Sequence, residues 1–240
     1  DAVKKHLIIA NPSEHVTKPR VERDEIRPLT DSEVGIVLNT LTDTEYYDIV
    51  LIALHTGMRR NELLGLRWND INLDMASVSV NRSIYRAHTT TVTTPPKTRS
   101  GSRSIDLAPD AVIHLRDMFN KQVANGLMYG YTPRGDSLVF IRTTGETLLP
   151  TAVTHGFKKT LRYIADNNTE YDSLRNAKFH DLRHTHASDL YEQGVPDKVI
   201  SERLGHSRVS ITMDIYTHIK PTMQKNYIKD FVLKGQQITQ

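Results

Sequence analysis

The spacing of apolar and polar residues along the chain changes period twice. A charged, proline-punctuated opening, "NPSEHVTKPRVERDEIRP", predicts a linker with a domain boundary just ahead of residue 28. "LTDSEVGIVLNTL" then sets Val34, Ile36, Val37 and Leu41 at helical intervals behind a cap candidate at Thr30 or Asp31. "TEYYDIVLIALHTG" predicts a second helix, apolar all round between Ile49 and Leu54 and therefore buried, with Gly57 placed to end it. "RRNELLGL" gives a short third helix. The period then falls to two: "SVSVNRSIY", "TTTVTT" and "SRSIDL", the last after the turn "KTRSGS", predict a three-stranded antiparallel sheet.

Helical spacing returns after Pro109. "DAVIHLRDMFNKQVANG" predicts a helix ending at Gly126, followed by a brief strand "SLVFI", a turn "TTGET" and a helix near 151–166. "FHDLRHTHASDLYEQG" stops at Gly194, "VPDKVISERLG" has Pro196 near its first position and Gly205 as its stop, and "SRVSITMDIYTHI" starts from a serine cap. The expected fold class is mainly α with a small antiparallel β-sheet (α+β). Leu63, Leu64, Leu66 and Trp68 are expected in the core, and Tyr46, Tyr47 and Tyr191 as packing residues.

Composition narrows the chemistry. The chain has 240 residues, 38% of them apolar, enough for an ordinary buried core. It has no cysteine, which excludes a disulfide framework, thiol catalysis and cysteine-containing zinc sites, and fits a reducing cytoplasmic setting. No apolar run approaches 18 residues and no signal-peptide pattern is present, so neither membrane insertion nor secretion is expected. The net charge of +3 is slight, but its distribution is uneven. Between Asp74 and Asp106 there is no acidic residue, while Arg82, Arg86, Lys97, Arg99 and Arg103 all fall there. Such a cationic element is expected to meet a polyanion.

"FHDLRHTH" at 179–186 poses a sharper question. His180 and His184, four apart, share one helix face as zinc ligands do, yet an arginine among histidines also makes a set of donors around an anion. Four islands decide it: "HTGMRRNELLGLRWNDI" at 55–71, "PKTRSGSRSI" at 96–105, "HDLRHTHA" at 180–187 and "LGHSRVSITMDIYTH" at 204–218. In this order and spacing they resemble the catalytic domain of the tyrosine recombinases, the phage-integrase family of site-specific DNA recombinases, across roughly residues 27–220. The zinc reading loses, because the segment has no general-base glutamate as in H-E-x-x-H and would leave Arg183 and the downstream tyrosine without a role.

The resemblance implies the tyrosine recombinase catalytic-domain fold and, residue by residue, a catalytic set of Arg59, Lys97, His180, Arg183, His206 and Tyr216. The basic residues Arg82, Arg86, Arg99 and Arg103 become candidate DNA contacts. The physical chemistry agrees. Rigid, permanently charged guanidiniums at Arg59 and Arg183 suit the nonbridging oxygens of a phosphodiester transition state. A phenol of pKa about 10 is a poor nucleophile, so Tyr216 needs help in losing its proton, which His180 can give. Lys97 would protonate the departing 5′ oxygen, and His206 would donate a hydrogen bond to the phosphate. Glu62, one turn after Arg59, is expected to orient that arginine or bond nearby backbone, while His184 and His186 are expected to pack or bond locally.

The implied reaction cuts and rejoins duplex DNA through a 3′-phosphotyrosyl link, integrating or excising a mobile element with no cofactor and no metal. The implied assembly is a homo-tetramer on a recombination site, with accessory DNA-bending proteins as further candidate partners. Residues 1–27 would be the end of a core-binding domain, its last helix, and an interdomain linker; 28–220 the catalytic domain; and 221–240 a tail docking in trans, with Met223, Tyr227, Ile228 and Phe231 at helical spacing. Type IB topoisomerase-like relaxation and a catalytically silent DNA-binding module stand as alternatives.

Overall fold

The computed structural model describes residues 2–12, 16, 27–87, 90–94 and 102–206, with side chains omitted for 86, 87 and 90–93. Seven α-helices in this part are α1 (Asp31–Leu41), α2 (Tyr47–Thr56), α3 (Arg60–Leu64), α4 (Pro109–Tyr129), α5 (Pro150–Asn167), α6 (Asp181–Glu192) and α7 (Asp197–Leu204). Five short strands lie between α3 and α4: β1 (Ile71–Asn72), β2 (Ser77–Val80), β3 (Ser83–Ala87), β4 (Thr90–Thr94) and β5 (Arg103–Asp106). This is the expected mainly α architecture with a small antiparallel sheet.

Local chemistry sets most boundaries. Thr30 and Glu33 cap α1 reciprocally: Glu33 N donates to Thr30 Oγ1 at 3.3 Å and Thr30 N to Glu33 Oε2 at 2.9 Å. Glu33 is buried and also receives Ser173 Oγ at 2.6 Å, which ties the 3-10 segment Thr169–Asn176 to α1. Gly57 ends α2 at φ 63°, and a Cβ there would meet His186 Cδ2 at 2.6 Å and Leu204 Cδ2 at 2.7 Å. Glycine is required on both counts, and the close approach brings α2, α6 and α7 to one point. The main core runs from Val37 and Leu41 through Ile49, Ile52, Leu63 and Leu64 to Phe157, Leu161 and Leu182, with a satellite of Ala187, Ile200 and Leu204 packed by Leu190, Tyr191 and Val195. Leu66 is buried in the core, and Tyr46 and Tyr47 pack against it. Trp68 is buried there too, its Nε1 donating to Gln122 Oε1 at 2.9 Å.

Four expectations are corrected. "SVSVNRSIY" is two strands, not one: β2 pairs between β1 and β5, while β3 pairs with β4 in a separate hairpin. The break falls at Asn81–Arg82, both of whose side chains turn back onto Asp70. α4 runs through Gly126 to Tyr129 and ends at Gly130. Gly126 is buried inside the helix because the returning chain lies on it: a Cβ would meet Tyr131 O at 2.2 Å. "SLVFI" makes only isolated bridges, Arg67 to Leu138 and Ile141 to Thr147. Residues 2–10 form turns and bends rather than a helix; Leu7 and Ile9 stand exposed, and so short a segment lacks the packed face a helix needs.

Candidate active site

The site assembles where three short stretches meet. Arg59 leaves Gly57 in extended conformation (φ −69°, ψ 145°) at the head of α3. Glu62, one turn on, takes the Arg59 amide at 3.0 Å on Oε2 and the Arg59 guanidinium at 2.8 Å on Oε1. Both roles expected of Glu62 are therefore present in the geometry. The other end of the Arg59 guanidinium donates to Gly205 O at 3.3 Å, and 41% of the side chain stays exposed.

Arg183, on the first turn of α6, is buried. It donates to Gly57 O at 2.8 Å and Leu204 O at 2.7 Å, so it ties the Gly57 turn to the end of α7. His180 sits just ahead of α6, and its ring meets that of His184 edge to face at 4.9 Å. Gly205 turns the chain out of α7 at φ 68°, and His206 N donates to Ser201 O at 3.0 Å, which fixes the turn. Among the described residues no three His, Asp or Glu side chains are grouped to hold a metal ion.

The electrostatics keep the imidazoles neutral. Burial, then the Arg183 and Arg59 charges, lowers His180 below its ordinary value. The same causes take His206 down to about 4, and burial with His180 and Arg183 takes His184 to about 4. His186 is pushed to about 3 by burial and the Arg203 charge; its Nε2 receives Arg203 Nε at 3.0 Å. A neutral His180 can take a proton, and a neutral His206 retains one N–H to donate. Glu62 goes the other way: burial alone would raise it, but the Arg103 and Arg59 guanidiniums hold it below the usual carboxylate range.

Beside the site opens a groove of about 470 Å³, lined on its polar side by Arg59, Arg60, Thr154, Lys158, Lys178 and His180. Arg60 reaches Thr154 Oγ1 and Asn61 Oδ1. Sequence reasoning missed Arg60, Lys158 and Lys178 as functional candidates. The only available signals were the neighbour of Arg59 and the helical spacing of Thr154 and Lys158.

Of the residues singled out from the sequence, Arg59, His180, Arg183 and His206 are brought together. Lys97, Arg99 and Tyr216 lie outside the described residues, as does the side chain of Arg86. Two candidate DNA contacts point inward instead. Arg82 pairs with Asp70, and Arg103, whose side chain is only 6% exposed, forks onto Glu62 at 2.9 and 3.3 Å and donates to Arg203 O at 2.6 Å.

The architecture is that of solved integrases. The chain superposes on a Tn1549 transposon integrase, solved in complex with a circular intermediate DNA, with a TM-score of 0.74 at 20% identity, covering 95% of this chain and 73% of that one. Against the XerA recombinase the TM-score is 0.58 at 20% identity, covering 88% and 68%. By sequence it is 30% identical to a XerC-like tyrosine recombinase of Caldanaerobacter subterraneus over 94% of this chain and 57% of the relative. It is 24% identical to the ICEBs1 integrase of Bacillus subtilis over 93% and 59%. The chain thus spans rather more than half the length of these curated relatives. The phage integrase family model matches residues 27–223, which takes in all four sequence islands, and on that match the chain belongs to the phage integrase family of tyrosine recombinases.

Proposed function

We propose that this chain is the catalytic part of a site-specific DNA recombinase that integrates or excises a mobile element. The observation that carries the reading is the grouping of Arg59 and Arg183, which donate to the adjacent carbonyls Gly205 O and Leu204 O, with neutral His180 and His206. Two fixed guanidiniums would neutralise the nonbridging oxygens of a scissile phosphate while the negative charge grows in the transition state. His180 takes the phenol proton as Tyr216 Oη attacks phosphorus. The phosphorus–5′ oxygen bond breaks, and Lys97 protonates the leaving 5′ oxygen. A 5′ hydroxyl from a second strand then attacks the 3′-phosphotyrosyl bond, and the proton transfers reverse. One phosphoester bond is exchanged for another at each step, so the cycle balances without nucleotide hydrolysis.

Duplex DNA would lie along the cationic groove, with Arg60, Lys158 and Lys178 on its phosphates. Each charge removed should then lower the salt slope of binding by about 0.9 per phosphate contact, measured by titration at several salt concentrations. Residues 28–220 form the catalytic domain in this reading, 1–27 the link from a core-binding domain, and 221–240 a tail that docks on a neighbour within a homo-tetramer. Accessory DNA-bending proteins are a further candidate, and the cytoplasm is the compartment that fits. Among the described residues no helix is long and apolar enough to cross a membrane. The test is incubation of the full-length protein with a nicked duplex bearing the ends of its element, in EDTA. A denaturant-resistant protein–DNA adduct is expected, absent in Tyr216→Phe although that variant still binds DNA. A divalent-metal requirement for cleavage would overturn the reading.

A further inference from the structure

Three consecutive carbonyls at the end of α7 each receive an arginine from a different part of the chain. Arg103 Nε, on β5, donates to Arg203 O at 2.6 Å; Arg183, on α6, to Leu204 O at 2.7 Å; and Arg59, at the head of α3, to Gly205 O at 3.3 Å. The last carbonyls of a helix have no partner within it, so they are natural acceptors for such a clamp. Two of the three arginines are those assigned to the phosphate. The third is buried and reaches both anchors of Arg59.

One anchor is Glu62. Arg103 spans both its carboxylate oxygens, at 3.3 and 2.9 Å, and Arg59 shares the same carboxylate at 2.8 Å. The other is the turn at 203–205, where Arg103 holds the first carbonyl and Arg59 the third. The link between β5 and α7 is reciprocal, since Arg203 donates back to Asp106 O on β5 at 2.9 Å and also to His55 O at 3.1 Å. β5 closes the basic segment that carries Lys97.

We infer that Arg103 is a positioning residue: it sets the Arg59 guanidinium through Glu62 and the His206 turn through the Arg203 carbonyl. The inference rests on the recombinase reading of that site. A lysine cannot replace this side chain fully, because a point charge cannot span both carboxylate oxygens and the carbonyl together. The charged groups facing Glu62 are Arg59 and Arg103, and the titratable His180 lies close enough to interact with it. Losing Arg103 removes the principal cation that holds Glu62 ionised, so Glu62 protonates at a higher pH and releases Arg59.

The test measures single-turnover adduct formation by the full-length protein in excess over a nicked duplex bearing its recombination site, from pH 5 to 9. Arg103→Met should lose about 100-fold in rate at saturating protein, as a misplacement near 1 Å costs, with the dissociation constant for DNA unchanged. The acid limb of its pH profile should move upward. Arg103→Lys should fall between. Arg103→Met with Glu62→Gln should regain thermal stability and the original acid limb but not the rate, and it decides the matter together with Arg103→Lys if the single methionine variant does not fold. A loss confined to DNA affinity, an unmoved pH profile, or a double variant that regains its rate would overturn the inference. No adduct from the unsubstituted protein would instead overturn the recombinase reading.

Discussion

Replacing Glu62 with alanine removes the acceptor shared by two arginines, and the structure sets the size of the effect. Arg103 is 6% exposed and Glu62 8%, so this pair is desolvated on both sides. Breaking a buried pair by deleting one partner costs about 3–5 kcal/mol, because the remaining charge is left buried. Arg103 keeps its bond to Arg203 O, which favours the lower end. The Arg59 side chain is 41% exposed, so its pairing with the carboxylate adds at most about 1 kcal/mol after screening. The expected loss is therefore about 3–4 kcal/mol, or about 6–16 °C in Tm for a domain of this size. Urea unfolding should show a lower midpoint with the slope unchanged.

The pH dependence supplies an internal check on that number. The folded pKa of Glu62 lies below its ordinary value, so its contribution is present above the unfolded pKa, about 4.3, and is lost as pH falls through the folded pKa. The stability gap between Glu62 and Glu62→Gln should stay constant above about pH 5.5 and close as the pH drops below that unfolded pKa. A gap under about 1 kcal/mol for Glu62→Ala, the value of a surface pair, or one that widens in acid would refute the reasoning.

Gly57→Ala should cost about 2–4 kcal/mol, combining a left-handed backbone with a Cβ driven against His186 and Leu204; a thermal melt within error of the unsubstituted protein would count against it. The histidines with lowered pKa values, His184 and His206 at about 4 and His186 at about 3, bind protons more readily unfolded than folded. Stability should accordingly fall as pH drops from about 6.5 toward about 4, read by urea unfolding, and ring titrations near the ordinary histidine value would contradict the buried neutral cluster. Lys97→Ala should lose about 10²- to 10⁴-fold in cleavage and regain most of it when sulfur replaces the bridging 5′ oxygen, because a thiolate leaves without a proton. Arg59→Ala and Arg183→Ala should gain nothing from sulfur, since their charge serves the nonbridging oxygens; no rescue for Lys97→Ala would remove Lys97 from the acid role.

Much of the fold was legible because its signals are local. The cap at Thr30, the left-handed stops at Gly57 and Gly205 and the 3.6-residue spacing of α1, α2 and α6 are written in neighbouring residues. Arg59, His180, Arg183 and His206 are singled out as candidates by short motifs, although nothing within any one motif says that the Arg183 guanidinium would bridge Gly57 and Leu204. The misses share a cause. The break between β2 and β3 depends on Asp70, the continuation of α4 through Gly126 depends on the returning Tyr131, and the inward turn of Arg103 depends on Glu62, forty-one residues away. A strand's alternation cannot tell a buried arginine with a distant carboxylate from one that faces solvent. The groove residues Lys158 and Lys178 come from α5 and the loop before α6, and no motif joins them.

The central claim is that Tyr216 carries the DNA. Adduct formed on a nicked duplex in EDTA can be digested with protease and nuclease and the nucleotide-bearing peptide identified by mass spectrometry. The account predicts one modified peptide containing Tyr216, linked through the tyrosine oxygen to a 3′ phosphate, with a free 5′ hydroxyl on the released strand. A nucleotide on any other residue, or a 5′ linkage, would contradict it.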